Sequence, residues 1–166
     1  IDYTYYYYGA SSARASLANV NDAMKLSQTE KISTAPVTAG TATADTKAIT
    51  YYAGNVNDEK SDYTNNYKAN GTDIDTVTTY AYHITGNDFA SASLANADSY
   101  MTRSTTKRFS DDSTKQISYY VGNESGEEAI DWSQEYNYNG TNLKSVTKYT
   151  LNGSDALVAT DTYKYR

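Results

Sequence analysis

Repetition limits what this 166-residue chain can fold into more than any other feature, because tandem copies of one pattern build the same small unit and bury apolar surface by stacking. ITYYAGN at 49–55 returns as ISYYVGN at 117–123, a shift of 68, and YKANGTDIDTVTTY at 67–80 returns as YNYNGTNLKSVTKY at 136–149, a shift of 69. ARASLANVNDAMKLSQTEKIS at 13–33 matches SASLANADSYMTRSTTKRFS in the 91–110 region at a shift of 77, which sets Leu17 on Leu94, Asn19 on Asn96 and Met24 on Met101. The same shift sets Tyr3, Tyr5 and Gly9 on Tyr80, Tyr82 and Gly86.

The longer first shift is explained by TAPVTAGTATA at 34–44, which holds the only proline and is expected as an exposed loop insertion. The chain then divides into unit 1 at 1–77, unit 2 at 78–146 and a partial unit 3 at 147–166. DTYKYR at 161–166 resembles DSYMTR at 98–103, so the third unit is expected to break off midway. Such a chain is either an excerpt of a longer array or a subunit whose missing strands come from a neighbour.

Within each unit the residue types specify strands. Nineteen tyrosines stand against two Phe and one Trp, so tyrosine must build much of any core, and its hydroxyl needs water or a partner. Tyr, Thr, Val and Ile favour the pleated strand, which predicts an all-β fold of hairpin units forming a sandwich or stacked sheet. Asn70-Gly71, Asn139-Gly140 and Asn152-Gly153 are expected as hairpin turns of type I′, where both central residues need positive φ. Period-two order in TVTTYAYHI at 76–84 sets Val77, Thr79, Ala81 and His83 on one face and Thr76, Thr78, Tyr80, Tyr82 and Ile84 on the other. TYYYYG at 4–9 carries tyrosines on both faces, as a strand covered on both sides would. The helix-like window 16–31 is read as a loop followed by a strand, since its copy is poor helix material.

Charge and composition exclude several functions. A formal charge of -6 and a pI near 4.7 argue against nucleic acid as a partner. No run of apolar residues approaches a membrane span, and the start IDYTYYYYGASS lacks the basic and apolar regions of a signal peptide, so the chain reads as already processed or as an excerpt. With no Cys there is no disulfide or thiolate site. His83 is the sole histidine and reads as an ordinary strand residue, and no phosphate loop or nucleophile elbow is present. Asp73/Asp75, Asp111/Asp112 and Glu127/Glu128 could be set against a glycosidase pair but read better as solvated loops. The chain is therefore expected not to be an enzyme and to need no cofactor. Calcium is more credible than catalysis, at Asn55, Asn57, Asp58 and Glu59, whose hard oxygens suit that ion without any EF-hand spacing. Asn70, Asn123, Asn139 and Asn152 each begin an Asn-x-Ser/Thr sequon and are candidate glycosylation positions.

Tyr136 through Thr147, YNYNGTNLKSVT, resembles the tyrosine-aspartate repeats of Rhs-type and wall-associated bacterial surface proteins, with Asn139 where that pattern has Asp, and Tyr67 through Thr78 resembles it less closely. The resemblance implies a large extracellular β-sheet architecture and transfers no catalytic residue. With the repetition, it leads to a structural subunit of an extracellular or cell-surface filament, sheath or array, completed by β-strand addition between copies of the chain itself. Tyr5, Tyr6, Tyr7 and Tyr8 at one end and Tyr163 and Tyr165 at the other are the expected assembly interface. The alternative is a carbohydrate-binding or adhesin module of a bacterial surface protein that uses exposed tyrosines against surface glycans.

Overall fold

The structure, a computed structural model, describes residues 1–36, 38–153 and 156–165. Its strands are β1 (Tyr3–Tyr8), β2 (Ala13–Arg14), β3 (Met24–Glu30), β4 (Thr46–Ala53), β5 (Lys60–Tyr67), β6 (Ile74–Ile84), β7 (Asn87–Ser91), β8 (Met101–Arg108), β9 (Thr114–Val121), β10 (Ala129–Tyr136), β11 (Leu143–Leu151) and β12 (Leu157–Lys164). Ala15–Leu17 and Ala92–Leu94 are single 3₁₀ turns, and the described residues contain no α-helix. The protein is all-β. Every strand pair is antiparallel, and together they make one 12-stranded open sheet in the order β12-β11-β10-β9-β8-β6-β5-β4-β3-β1-β2, with β7 also on β6.

The repeated sequences occupy repeated places in the ladder. Leu26–Tyr51–Tyr63–Thr79 in the first half and Arg103–Tyr119–Trp132–Lys148 in the second are equivalent cross-strand rows. Two alignments read from sequence differ in the structure. Tyr7 pairs with Leu26 whereas Ala81 pairs with Arg103, so β1 corresponds to β6 at a shift of 74. Seven residues lie between the paired Tyr82 and Ala90, against four between the equivalent Tyr8 and Ala13, which moves the register by three residues, and His83 stands on Gly9. At the other end, Asp161 pairs with Lys148 as Thr105 pairs with Thr79. DTYKYR therefore does not superpose on DSYMTR, because β12 follows β11 directly, without a β7-like strand and 3₁₀ turn between them; Arg166 lies outside the described residues.

The two faces have different chemistry. One carries the row Tyr6–Ser27–Thr50–Thr64–Thr78–Thr106–Gln116–Glu135–Ser145–Lys164, whose hydroxyls pair across strands at Thr50–Thr64 (2.8 Å) and Thr78–Thr106 (2.9 Å). Such pairs contribute about 0.2–1 kcal/mol each, and their repetition offsets the shortage of buried apolar area. The opposite face holds the apolar core, Tyr5, Tyr7, Leu26 and Ile49.

Described residues of the 34–44 insertion cover that core, which corrects its reading as an exposed loop. Ala35 and Ala39 pack on the cluster. Gly40 N–H donates to Gln28 Oε1 at 3.1 Å, Gln28 Nε2 donates to Thr41 O at 2.9 Å and Glu30 Oε1 at 2.7 Å, and the Thr43 and Thr46 hydroxyls donate to Glu30 at 2.9 and 2.8 Å. Gln28 and Glu30 are 0% and 1% exposed, so the lid satisfies polar groups that its own closure buries. In the second half the equivalent connection is only 109–113, and Thr105 and Lys107 replace Gln28 and Glu30. The layer against the sheet in the first half is thus this loop.

The Asn-Gly turns also differ from type I′. Gly71 (φ 75) and Gly140 (φ 71) have positive φ, whereas Asn70 and Asn139 do not. Each Gly closes a turn onto Lys68 O or Asn137 O, at 2.9 and 3.0 Å, and each Asn Oδ1 accepts the amide two residues ahead, at 3.2 and 3.0 Å. Asn152-Gly153 begins the β11–β12 connection.

Candidate functional site

The sheet leaves backbone donors and acceptors unpaired at its two sides, and these edges are the strongest candidate for function. On one side β12, eight residues long, pairs only with β11, and its described side chains are all exposed. Leu157, Val158 and Ala159 lie along it with no proline. Proteins normally blunt such edges with short strands, charges, Pro or bulges; here Asp161 and Lys164 are the only charged residues on the strand.

On the other side β1 pairs with β3 along its length, but β2 covers its outer edge only at Tyr7 and Tyr8. Tyr3 to Tyr6 therefore pair with no described strand on their outer side. Lys47 Nζ donates to Asp2 Oδ2 at 2.7 Å beside this edge, and that hydrogen bond holds the Asp2 carboxyl below its ordinary value.

The structure divides the tyrosines expected at the interface. Tyr5 and Tyr7 are buried under the lid, with the Arg14 guanidinium over their rings at 4.8 and 5.5 Å; burial raises the Tyr7 phenol. They belong to the core and are not free to meet a partner. Tyr6, Tyr163 and Tyr165 are 46%, 62% and 60% exposed, and Tyr8 is partly buried. The strand TYYYYG is accordingly covered on one face, not both.

The other sequence-derived candidates take structural places. Glu59 Oε1 accepts the Met24 amide at 2.9 Å, and its copy Glu128 Oε1 accepts the Met101 amide at 2.7 Å. This repeated clamp was hidden in the sequence because Glu and its amide lie far apart in the chain. Of the calcium candidates, Asn55 O accepts the Asp58 amide, Asn57 has φ 70, and Glu59 turns back toward β3. Among the described residues no group of three or more His, Asp or Glu side chains converges. Asn70, Asn123, Asn139 and Asn152 are exposed. His83 stacks on Tyr100 with ring centroids 4.8 Å apart and pairs with Asp88 at 2.7 Å. No described helix is long and apolar enough to cross a membrane. No protein family, curated protein or solved structure matches the chain.

Proposed function

We propose that this chain is a non-enzymatic structural unit of an extracellular or cell-surface filament, sheath or array, of the kind the tyrosine-aspartate surface repeats resemble, in which sheets are completed by strands of neighbouring copies. The observation that carries this reading is the joining of repeated units in one continuous antiparallel sheet, in which the row Leu26–Tyr51–Tyr63–Thr79 recurs as Arg103–Tyr119–Trp132–Lys148. An added strand would satisfy the free ladder groups by main-chain hydrogen bonds, the general mode of β-augmentation. A sandwich or stack would then arise where such sheets meet face to face.

A glycan-binding module has less support. Its tyrosines would offer flat platforms, yet Tyr51 and Tyr63 stack on each other at 4.6 Å, and Tyr119 and Trp132 at 4.1 Å, which leaves fewer ring faces open. Sedimentation and electron microscopy over rising concentration test the proposal. Concentration-dependent polymers that Val158→Lys with Thr160→Lys abolishes are expected, and a chain that stays monomeric throughout refutes it.

A further inference from the structure

One cross-strand pair in the first half sets two phenols face to face. Tyr51 on β4 stands directly opposite Tyr63 on β5, and their rings are stacked with centroids 4.6 Å apart and planes 19° from parallel. The outer neighbours of the pair in its row are Leu26 and Thr79, so each ring has the other as its aromatic partner across the ladder. Both residues are partly exposed. Burial raises both phenols above their ordinary value, that of Tyr63 also through the nearby Tyr51, so each keeps its hydroxyl hydrogen at neutral pH.

The copy of this pair in the second half keeps the geometry and lacks the second phenol. Tyr119 stands opposite Trp132, with centroids 4.1 Å apart and planes 10° from parallel. Either ring thus serves the stack, and what Tyr63 adds over Trp132 is a hydroxyl on a ring already in contact with another phenol. The chain has no cysteine, so no disulfide ties its strands and no thiol competes for an oxidant.

We propose that Tyr51 and Tyr63 form a site of oxidative coupling, joined as an intrachain dityrosine that locks the β4–β5 hairpin when the protein meets a haem peroxidase and hydrogen peroxide. Each phenol gives one electron to the oxidised peroxidase and one proton to water, which leaves two phenoxyl radicals with unpaired spin on the ring carbons ortho to oxygen. One such carbon of each ring joins the other in a new carbon–carbon bond, and the hydrogen on each moves through water to the oxygen of its own ring, restoring two phenols. The pair loses two hydrogens in all, and one hydrogen peroxide becomes two waters. Direct opposition holds the two Cβ atoms about 4.5–5.5 Å apart, and rings held in contact couple as one molecule, which favours this bond over links between chains in dilute solution. The site goes beyond the structural reading and does not depend on it, since both tyrosines belong to one chain.

Dilute protein treated with a haem peroxidase and hydrogen peroxide tests the site by dityrosine fluorescence, intact mass and mapping of linked peptides. A fluorescent monomer lighter by two hydrogens, with residues 51 and 63 in one linked peptide, is expected. Tyr51→Phe and Tyr63→Phe each keep a stacked ring pair and should lower the monomer's dityrosine signal at least about tenfold, because the remaining phenol has lost its partner in contact. Trp132→Tyr sets a phenol opposite Tyr119 and should about double the signal. Circular dichroism before oxidation confirms the sheet in each variant. Absence of dityrosine from the monomer, a signal unchanged in both Phe variants, or links confined to exposed tyrosines such as Tyr6 and Tyr138 would overturn the proposal. A Trp132→Tyr signal equal to that of the parent chain would overturn stacking as what directs the coupling.

Discussion

The hydroxyl of Tyr52 lies 3.1 Å from Ser27 Oγ across the β3–β4 ladder, and the copy of this pair, Tyr120 and Ser104, is 3.2 Å apart. Tyr80–Thr64 at 3.0 Å and Tyr149–Ser133 at 3.5 Å repeat the device on the β5–β6 and β10–β11 ladders. Each ring crosses diagonally, two residues from the directly opposed position. The small residue beneath is buried in every case, although it lies on a face made largely of Ser and Thr. A single sheet without a second layer can in this way shield its ladder with its own side chains.

Removing one such hydroxyl should cost about 0.5–1.5 kcal/mol, the net worth of an ordinary hydrogen bond. Tyr52→Phe and Tyr120→Phe are expected to destabilise by similar amounts and to add within a few tenths of a kcal/mol, since the two hydroxyls bond to different residues, Ser27 and Ser104. Urea denaturation of the two single variants and the double variant checks this; strong non-additivity would mean that the two units are coupled through the sheet.

Deleting residues 34–44 should be severely destabilising. It uncovers Tyr5, Tyr7, Leu26 and Ile49 and takes the Gly40, Thr41 and Thr43 partners from the buried Gln28–Glu30 pair. Each orphaned buried group costs about 1–3 kcal/mol. Dye binding to exposed apolar surface and loss of cooperative melting are expected, and an intact transition would show that the lid contributes little.

Gly71→Ala and Gly140→Ala should cost clearly more than Gly86→Ala, although all three glycines have positive φ. An added Cβ at Gly71 meets Thr43 O at 2.3 Å, one at Gly140 meets Thr114 N at 2.6 Å, and one at Gly86 meets nothing within 4 Å. The left-handed conformation alone costs about 1–2 kcal/mol, so Gly86→Ala isolates that part. Equal losses at the three sites would exclude backbone crowding as the cause.

Stability should fall in alkali. Burial raises the phenols of Tyr7, Tyr51, Tyr63, Tyr67, Tyr80 and Tyr82 above their ordinary value. Above about pH 10 the unfolded chain loses these protons while the folded chain keeps them, so the folded state binds more protons and stability decreases as pH rises. The contribution is fully present below that pH and disappears through the raised folded values. Phenolate absorbance and circular dichroism, titrated together, should show these tyrosines ionising only as the sheet melts; early ionisation with the sheet intact would contradict it.

Much of this protein is legible in one dimension, for local reasons. Alternation of Tyr and Thr with Val and Ile dictates strands, and ITYYAGN and ISYYVGN fall on equivalent stretches of β4 and β9. Gly71 and Gly140 mark turns because only glycine takes their φ without strain. What lay beyond the sequence depends on groups distant in the chain. The three-residue offset of β1 and the place of β12 follow from connection lengths and bulges, which move register while leaving strand composition unchanged. The lid is decided by Gln28 and Glu30 meeting residues 40–46, so TAPVTAGTATA, which by composition is an ordinary surface loop, becomes the cover of the core. The tyrosines of TYYYYG were visible from the outset, but only the folded sheet determines that Tyr5 and Tyr7 lie beneath that cover while Tyr6 faces outward, since a strand's pleat fixes alternation and tertiary packing alone selects which face is buried.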